Sequence, residues 1–138
     1  MRKFCYTIPL LLISFVLSAQ TKPVKILFDI TSKDTLAHQT VVRHVSAMTT
    51  SYPDAQLEVV IYGGALPMVM TGKSSVAKGI AQLGGNNNVS FTVCAGTMKR
   101  YNVDKSQLLP GIVVVPDAIM EIVTKQGEGW GYIKETNN

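Results

Sequence analysis

The stretch that decides the fold is residues 89–100, VSFTVCAGTMKR. Its first half alternates β-branched and aromatic residues, which is typical of a strand, and its second half is typical of a short helix. Cys94 stands at the junction, so its thiol is expected at the carboxyl end of a strand and the amino end of a helix. Backbone N–H groups and the positive end of a helix dipole favour a thiolate there. We therefore take Cys94 as the candidate catalytic residue.

Hydrophobic runs on either side of this stretch predict four more strands, with helical segments between them. The predicted strands cover residues 24–30, 57–62, 89–94, 112–115 and 130–134. The predicted helices cover residues 34–48, 73–83 and 95–100, with a last one opening at Pro116–Asp117. The unbroken hydrophobicity of residues 112–115 is typical of a buried parallel strand. This alternation predicts a single α/β domain with a mainly parallel five-stranded sheet and helices on both faces.

Sites in such sheets form beyond the carboxyl ends of the strands. Those ends are predicted at Asp29–Thr31, Gly63–Gly64, Cys94 and Val115–Pro116. Asp29 could serve as an acid or base, or could begin a turn. The glycine pair could admit a close neighbour or simply turn the chain. The pattern leaves both questions open, while the predicted sheet edge adds a second argument for Cys94.

The first nineteen residues form a separate unit. Arg2 and Lys3 precede an apolar stretch over residues 8–17, and the small residues Ser18 and Ala19 follow it. This layout predicts a signal peptide over residues 1–19, cut before residue 20. Its apolar stretch is too short to span a membrane. We expect residues 20–138 to form one exported domain, periplasmic or secreted, without a membrane attachment after cleavage.

Removal of that leader changes the charge and the cysteine count. The formal net charge falls from +4 to +2, because 11 of the 13 basic residues remain against 9 acidic ones. No basic run with interleaved aromatic residues remains, so we expect no nucleic-acid partner. Cys5 leaves with the leader, and Cys94 becomes the single cysteine. In an oxidising compartment a lone thiol is buried and inert, paired between chains, or reactive.

Two motifs fail as ligand sites. Gly72–Ser74 resembles the end of a phosphate loop, but Pro67 stands where that loop needs a glycine. His38 and His44 lie six residues apart, roughly 240° around a helix, so they cannot share a metal and are expected on the surface. Lys99 and Arg100 could support an anionic sulfur at Cys94, but they lie at the far end of the short helix, where a solvated role at the negative end of the dipole is favoured. We therefore predict neither a metal nor a cofactor.

Residues 89–103 resemble the active-cysteine segment of the DsrE/DsrF-like family, in which a strand ends in Cys and a helix with basic residues follows. The order of the flanking segments is similar too: Tyr62–Gly64, then 109–116, then 126–132. The likeness extends from about Pro23 to Lys134. It implies a three-layer α/β/α sandwich and a homo-oligomer.

In sulfur-relay members of this family, the matching cysteine carries sulfur as a persulfide between partner proteins. The resemblance therefore implies a thiol-based sulfur carrier or sulfurtransferase, with Cys94 as the persulfide-bearing residue and a sulfur donor and an acceptor thiol as partners. Those members are intracellular, so the predicted leader makes tRNA thiolation an unexpected task here. Two alternatives stay open. One is a non-catalytic oligomeric or small-ligand-binding module with a structural Cys94, and the other is a redox sensor with an inter-chain disulfide.

Overall fold

The computed structural model describes residues 22–136, so the leader predicted over residues 1–19 lies outside the described residues. The five strands are β1 (Lys25–Ile30), β2 (Gln56–Ile61), β3 (Val89–Cys94), β4 (Val113–Val115) and β5 (Gly131–Glu135). The four α-helices are α1 (Thr35–Ser51), α2 (Ala77–Leu83), α3 (Ala95–Arg100) and α4 (Ala118–Gly127). Short 3-10 helices lie at Gly63–Val69 and Lys105–Gln107. Over residues 22–136, no helix is both long and apolar enough to cross a membrane.

The strands form one sheet in the order β4-β3-β2-β1-β5, and every neighbouring pair is parallel. From β1 to β4 the chain moves steadily toward one edge, and α4 then returns it to the opposite edge. Because parallel crossovers are right-handed, the reversal places α4 on the other face of the sheet. The predicted three-layer α/β/α architecture is thereby confirmed.

The two faces of the sheet bury side chains unequally. The larger core lies under α1 and α2 and includes Phe28 and Ile30 of β1. The smaller core, on the α4 side, contains Leu27, Val60, Cys94, Ala118 and Ile122. Side chains alternate along a strand, so Asp29 shares the α4 side with Leu27. Cys94 therefore lies on the thinly covered face.

His38 departs from the predicted surface position. Its side chain is only 2% exposed, and its Nε2 lies 2.8 Å from the carbonyl oxygen of Ser32. α1 begins after Asp34, which accepts a hydrogen bond from the backbone of Leu36, and it buries one stripe at helical spacing. His38 falls within that stripe beside Ala37 and Val41. The prediction was wrong because it considered only the angle between the two histidines around the helix. It did not consider which of them lies on the buried face of that helix.

Two elements also differ from the sequence prediction. β4 is parallel, as predicted, but it is an edge strand and not fully buried, since its Val113 is 50% exposed. Hydrophobic continuity alone does not distinguish a central strand from an edge strand. Residues 63–69 form a 3-10 helix that the pattern did not predict, and α2 begins at Ala77, later than expected. The 3-10 helix turns the chain from the end of β2 back over the larger core.

Candidate functional site

Cys94 is the last residue of β3 and the cap of α3, as its local sequence predicted. It pairs in register with Val115, the last residue of β4. The chain leaves Val115 through Pro116 and Asp117 and enters α4 at Ala118. The amino ends of two helices on opposite faces of the sheet therefore meet at the thiol. Cys94 itself is 9% exposed.

Donor groups surround the sulfur. Burial raises the pKa of the Cys94 thiol, but the backbone N–H groups of Ala118, Thr97 and Gly96 and the Thr97 hydroxyl lower it, and together they outweigh burial. The pKa therefore lies below its ordinary value. These groups lower the pKa because they act as hydrogen-bond donors to the charged form of the sulfur. The contribution of α4 was not foreseen, because sequence reasoning considered only the helix next to Cys94.

The end of β2 supports this arrangement. The N–H of Gly63 donates to the Thr97 hydroxyl oxygen at 3.1 Å, which leaves the hydroxyl proton available to the sulfur. Gly63 has a φ of +59°, a conformation that favours glycine. A Cβ on Gly64 would lie 3.0 Å from the carbonyl oxygen of Thr31. The glycine pair therefore both turns the chain and permits a close approach.

Asp29 does not begin a turn; it is a buried carboxylate, 3% exposed, on the same face as Cys94. It accepts hydrogen bonds from the Tyr132 hydroxyl at 2.6 Å, the Lys134 ammonium at 2.8 Å and the Tyr62 hydroxyl at 3.3 Å. We call these four residues the Asp29 cluster. Sequence reasoning missed its three donors, since Tyr132 and Lys134 lie on the strand farthest along the chain and reach Asp29 only through the β1–β5 pairing. Their spacing of two residues, which puts both on one face of a strand, was the available signal.

The other candidates stay apart from the thiol. Lys99 and Arg100 are exposed in the last turn of α3, in keeping with the solvated role predicted for them. His44 is exposed, as predicted, and its Nδ1 lies 2.7 Å from Glu135. Among residues 22–136, no group of three His, Cys, Asp or Glu side chains is arranged to hold a metal ion.

A model of the DsrE/DsrF-like family matches residues 25–134, from the first strand to the last. The chain belongs to the DsrE/DsrF-like family. Family membership is compatible with a sulfur-relay role. A comparison with curated proteins gives no match.

Two solved structures share the DsrE/DsrF-like fold seen here. MTH1491 from Methanobacterium thermoautotrophicum, a protein of unknown function, is 26% identical, and the alignment covers 80% of this chain and 98% of that one with a TM-score of 0.75. The ychN protein from E. coli is 11% identical and has a TM-score of 0.68 over 82% of this chain and 98% of that one. At 11% identity the second likeness shows the fold alone.

Proposed function

We propose that this protein is a thiol-based sulfur carrier or sulfurtransferase that forms a persulfide on Cys94. The observation that carries the proposal is the set of donors around the sulfur, which lowers the pKa of Cys94 despite its burial. The thiolate is the form of cysteine that attacks sulfur, so a lowered pKa increases the reactive fraction at neutral pH. Family membership is consistent with this chemistry.

The proposed chemistry has two half-reactions, each a displacement at sulfur. With thiosulfate as donor, the Cys94 thiolate bonds to the sulfane sulfur, the S–S bond of thiosulfate breaks, and sulfite leaves with the electron pair. The product is the Cys94 persulfide anion. After protonation, an acceptor thiolate attacks the outer sulfur, the S–S bond of the persulfide breaks, and the electron pair returns to Cys94 as thiolate. Neither half-reaction requires an added oxidant or reductant.

Intact-mass analysis tests this proposal on the chain that begins at residue 20, which contains a single cysteine. Incubation with thiosulfate or polysulfide is expected to add the mass of one sulfur atom, and an acceptor thiol such as glutathione is expected to remove it. The matched control is Cys94→Ser, which should stay unmodified. A folded wild-type protein that gains no sulfur from either donor would overturn the proposal.

We also propose that the protein acts outside the cytoplasm, as a periplasmic or secreted homo-oligomer. The support for export is the leader pattern of residues 1–19, and the expected mature N-terminus is Gln20. N-terminal sequencing of protein recovered from the exported fraction tests it; an intact Met1 there would contradict cleavage. The support for oligomerisation is a group of exposed apolar side chains on the α4 side: Val113, Ile119, Met120 and Val123.

The low exposure of Cys94 favours a second candidate function, a non-catalytic oligomeric or small-ligand-binding module with a structural thiol. Free cysteine is often a small buried hydrophobe, and Cys94 packs in the core under α4. This candidate predicts that iodoacetamide modifies Cys94 only in denaturant. Rapid alkylation of the native protein would count against it and for the carrier.

A further inference from the structure

The Asp29 carboxylate accepts hydrogen bonds from three side chains, and the three bonds differ in length. Tyr132 and Lys134 reach it at 2.6 and 2.8 Å, and Lys134 also donates to the Thr31 hydroxyl at 3.0 Å. These two short contacts, one of them with a cation, hold the buried charge. The Tyr62 hydroxyl, at 3.3 Å, makes the longest and therefore weakest of the three bonds. Tyr62 is thus the donor that the cluster can release most easily.

Tyr62 lies between Asp29 and Cys94. It follows Ile61, the last residue of β2, which pairs with Val93, so Tyr62 comes opposite Cys94 at the end of β3. The side chains of both residues are on the α4 side, since Tyr62 packs against the small core that contains Cys94. The strand on the other flank of β2 is β1, which carries Asp29. A turn about the Tyr62 Cα–Cβ bond therefore moves the hydroxyl from the Asp29 side toward the Cys94 side.

The electrostatics agree with this placement. The pKa of Tyr62 is raised to about 12, first by burial, then by the charge of Asp29 and its hydrogen bond, and finally by the charge of Cys94. The Lys134 ammonium lies 5.5 Å from the centre of the Tyr62 ring. At neutral pH Tyr62 is therefore a neutral phenol, and it keeps its proton for a hydrogen bond.

We propose that Tyr62 is a catalytic residue of the sulfur transfer, whose hydroxyl turns from Asp29 and donates a hydrogen bond to the outer sulfur of the Cys94 persulfide. The inference rests on the proposed carrier function. As the thiolate attacks thiosulfate, the transferred sulfur becomes the terminal atom and carries the negative charge of the persulfide. A phenol hydrogen bond stabilises that charge without transferring a proton, so the bonds made and broken are unchanged. Tyr132 and Lys134 continue to hold Asp29 when Tyr62 leaves it.

A matched pair of variants tests this role. Tyr62→Phe and Tyr132→Phe each remove one hydroxyl that contacts the same carboxylate and keep the ring. The rate of persulfide formation from thiosulfate is expected to fall roughly 10- to 100-fold in Tyr62→Phe, the range for a hydrogen bond to a charged group. Tyr132→Phe loses the shorter bond and is expected to be the less stable of the two. Its rate should fall less than that of Tyr62→Phe, because the Tyr132 hydroxyl stays on Asp29 and makes no bond to the sulfur.

A separate measurement distinguishes catalysis from an effect on the thiol. The pH at which iodoacetamide alkylation of Cys94 is half-maximal should be nearly the same in wild type and Tyr62→Phe, because alkylation leaves no anionic outer sulfur. A Tyr62→Phe variant that forms persulfide at the wild-type rate would overturn the role of Tyr62 and leave the carrier function intact. A wild-type protein that forms no persulfide would overturn both.

A ring-fluorinated tyrosine at position 62 keeps the test informative should Tyr62→Phe not fold. Fluorination lowers the pKa of the phenol while the ring and its donor remain. The persulfide-forming rate is then expected to decline at a lower pH than in wild type, because the ionised phenol no longer donates. An unchanged decline would contradict a Tyr62 donor.

Discussion

Thr97 accepts a hydrogen bond from the backbone N–H of Gly63 at 3.1 Å, and this contact joins the ends of two strands at the thiol. Gly63 lies just beyond the end of β2. Thr97 belongs to the first turn of α3, the helix that begins directly after Cys94. The accepted bond orients the Thr97 hydroxyl, which is one of the groups that lower the pKa of Cys94. The ionisation of Cys94 therefore depends on a contact between segments more than thirty residues apart.

Thr97→Val tests that dependence. Valine keeps the volume but removes the hydroxyl, so the pKa of Cys94 should rise toward its ordinary value. Alkylation at pH 7 should slow several-fold, and its half-maximal point should move to higher pH. The unpaired Gly63 N–H should lower the unfolding free energy by about 1–2 kcal/mol. Thr71→Val is the matched control, because its hydroxyl bonds the carbonyl of Leu108 away from the thiol; an equal change in alkylation there would contradict the assignment.

Gly64→Ala tests the close approach at the carboxyl edge of the sheet. The added methyl would lie 3.0 Å from the Thr31 carbonyl oxygen and 3.3 Å from the Lys33 nitrogen, both backbone atoms. Backbone atoms cannot move aside as easily as a flexible side chain, so we expect the unfolding free energy to fall by roughly 1–3 kcal/mol. Gly127→Ala, at the end of α4, brings its new methyl within 4 Å of no described atom beyond its chain neighbours and the nearby backbone of its own helix. That control should gain up to about 1 kcal/mol in urea unfolding, since alanine favours the helix.

Lys125→Met tests the buried ion pair under α4. Lys125 Nζ lies 3.1 Å from Glu58 Oε2, and the Thr92 hydroxyl donates to the other carboxylate oxygen. Glu58 is the more deeply buried partner: its side chain is 3% exposed, against 24% for Lys125. The variant leaves that carboxylate without its cation, so we expect a loss of roughly 3 kcal/mol at pH 7. Adding Glu58→Gln should restore most of it.

The same pair predicts a dependence on pH. Burial raises the pKa of Glu58 above its ordinary value of 4.5, although Lys125 and Thr92 oppose it. A raised carboxyl pKa favours the folded state at low pH, and this contribution is lost as the pH rises above about 4.5 toward the folded pKa. Without Lys125 the folded pKa rises further, so the deficit of Lys125→Met should shrink as the pH falls from 7 to 5. A deficit independent of pH would contradict the account.

Val123→Glu tests the proposed homo-oligomer. Val123 is exposed on α4 together with Ile119 and Met120. A carboxylate buried in an interface without a partner disfavours association, so sedimentation velocity should show the wild type as an oligomer and the variant as a smaller species. Leu36→Glu is the control, since Leu36 is also an exposed apolar residue but lies on α1. A monomeric wild type at micromolar concentration, or an oligomer that both variants leave intact, would contradict this interface.

The order of strands and helices was predictable from the sequence because hydrophobic periodicity and turn residues are local signals. Residues 89–100 show this most clearly, since strand, thiol and helix appear in the predicted positions. The same signals did not predict that β4 is an edge strand or that His38 is buried. Burial depends on which other elements pack against a strand or helix, and those elements come from remote parts of the chain.

For the candidate site, the sequence by itself determined that Cys94 ends a strand and caps a helix. Tertiary structure decided what surrounds the thiol. The return of α4 across the second face brings the Ala118 N–H to the sulfur, and the pairing of β5 with β1 brings Tyr132 and Lys134 to Asp29. The reason is that a dipole or hydrogen bond acts over a few ångströms of space, whereas these groups are separated by tens of residues along the chain.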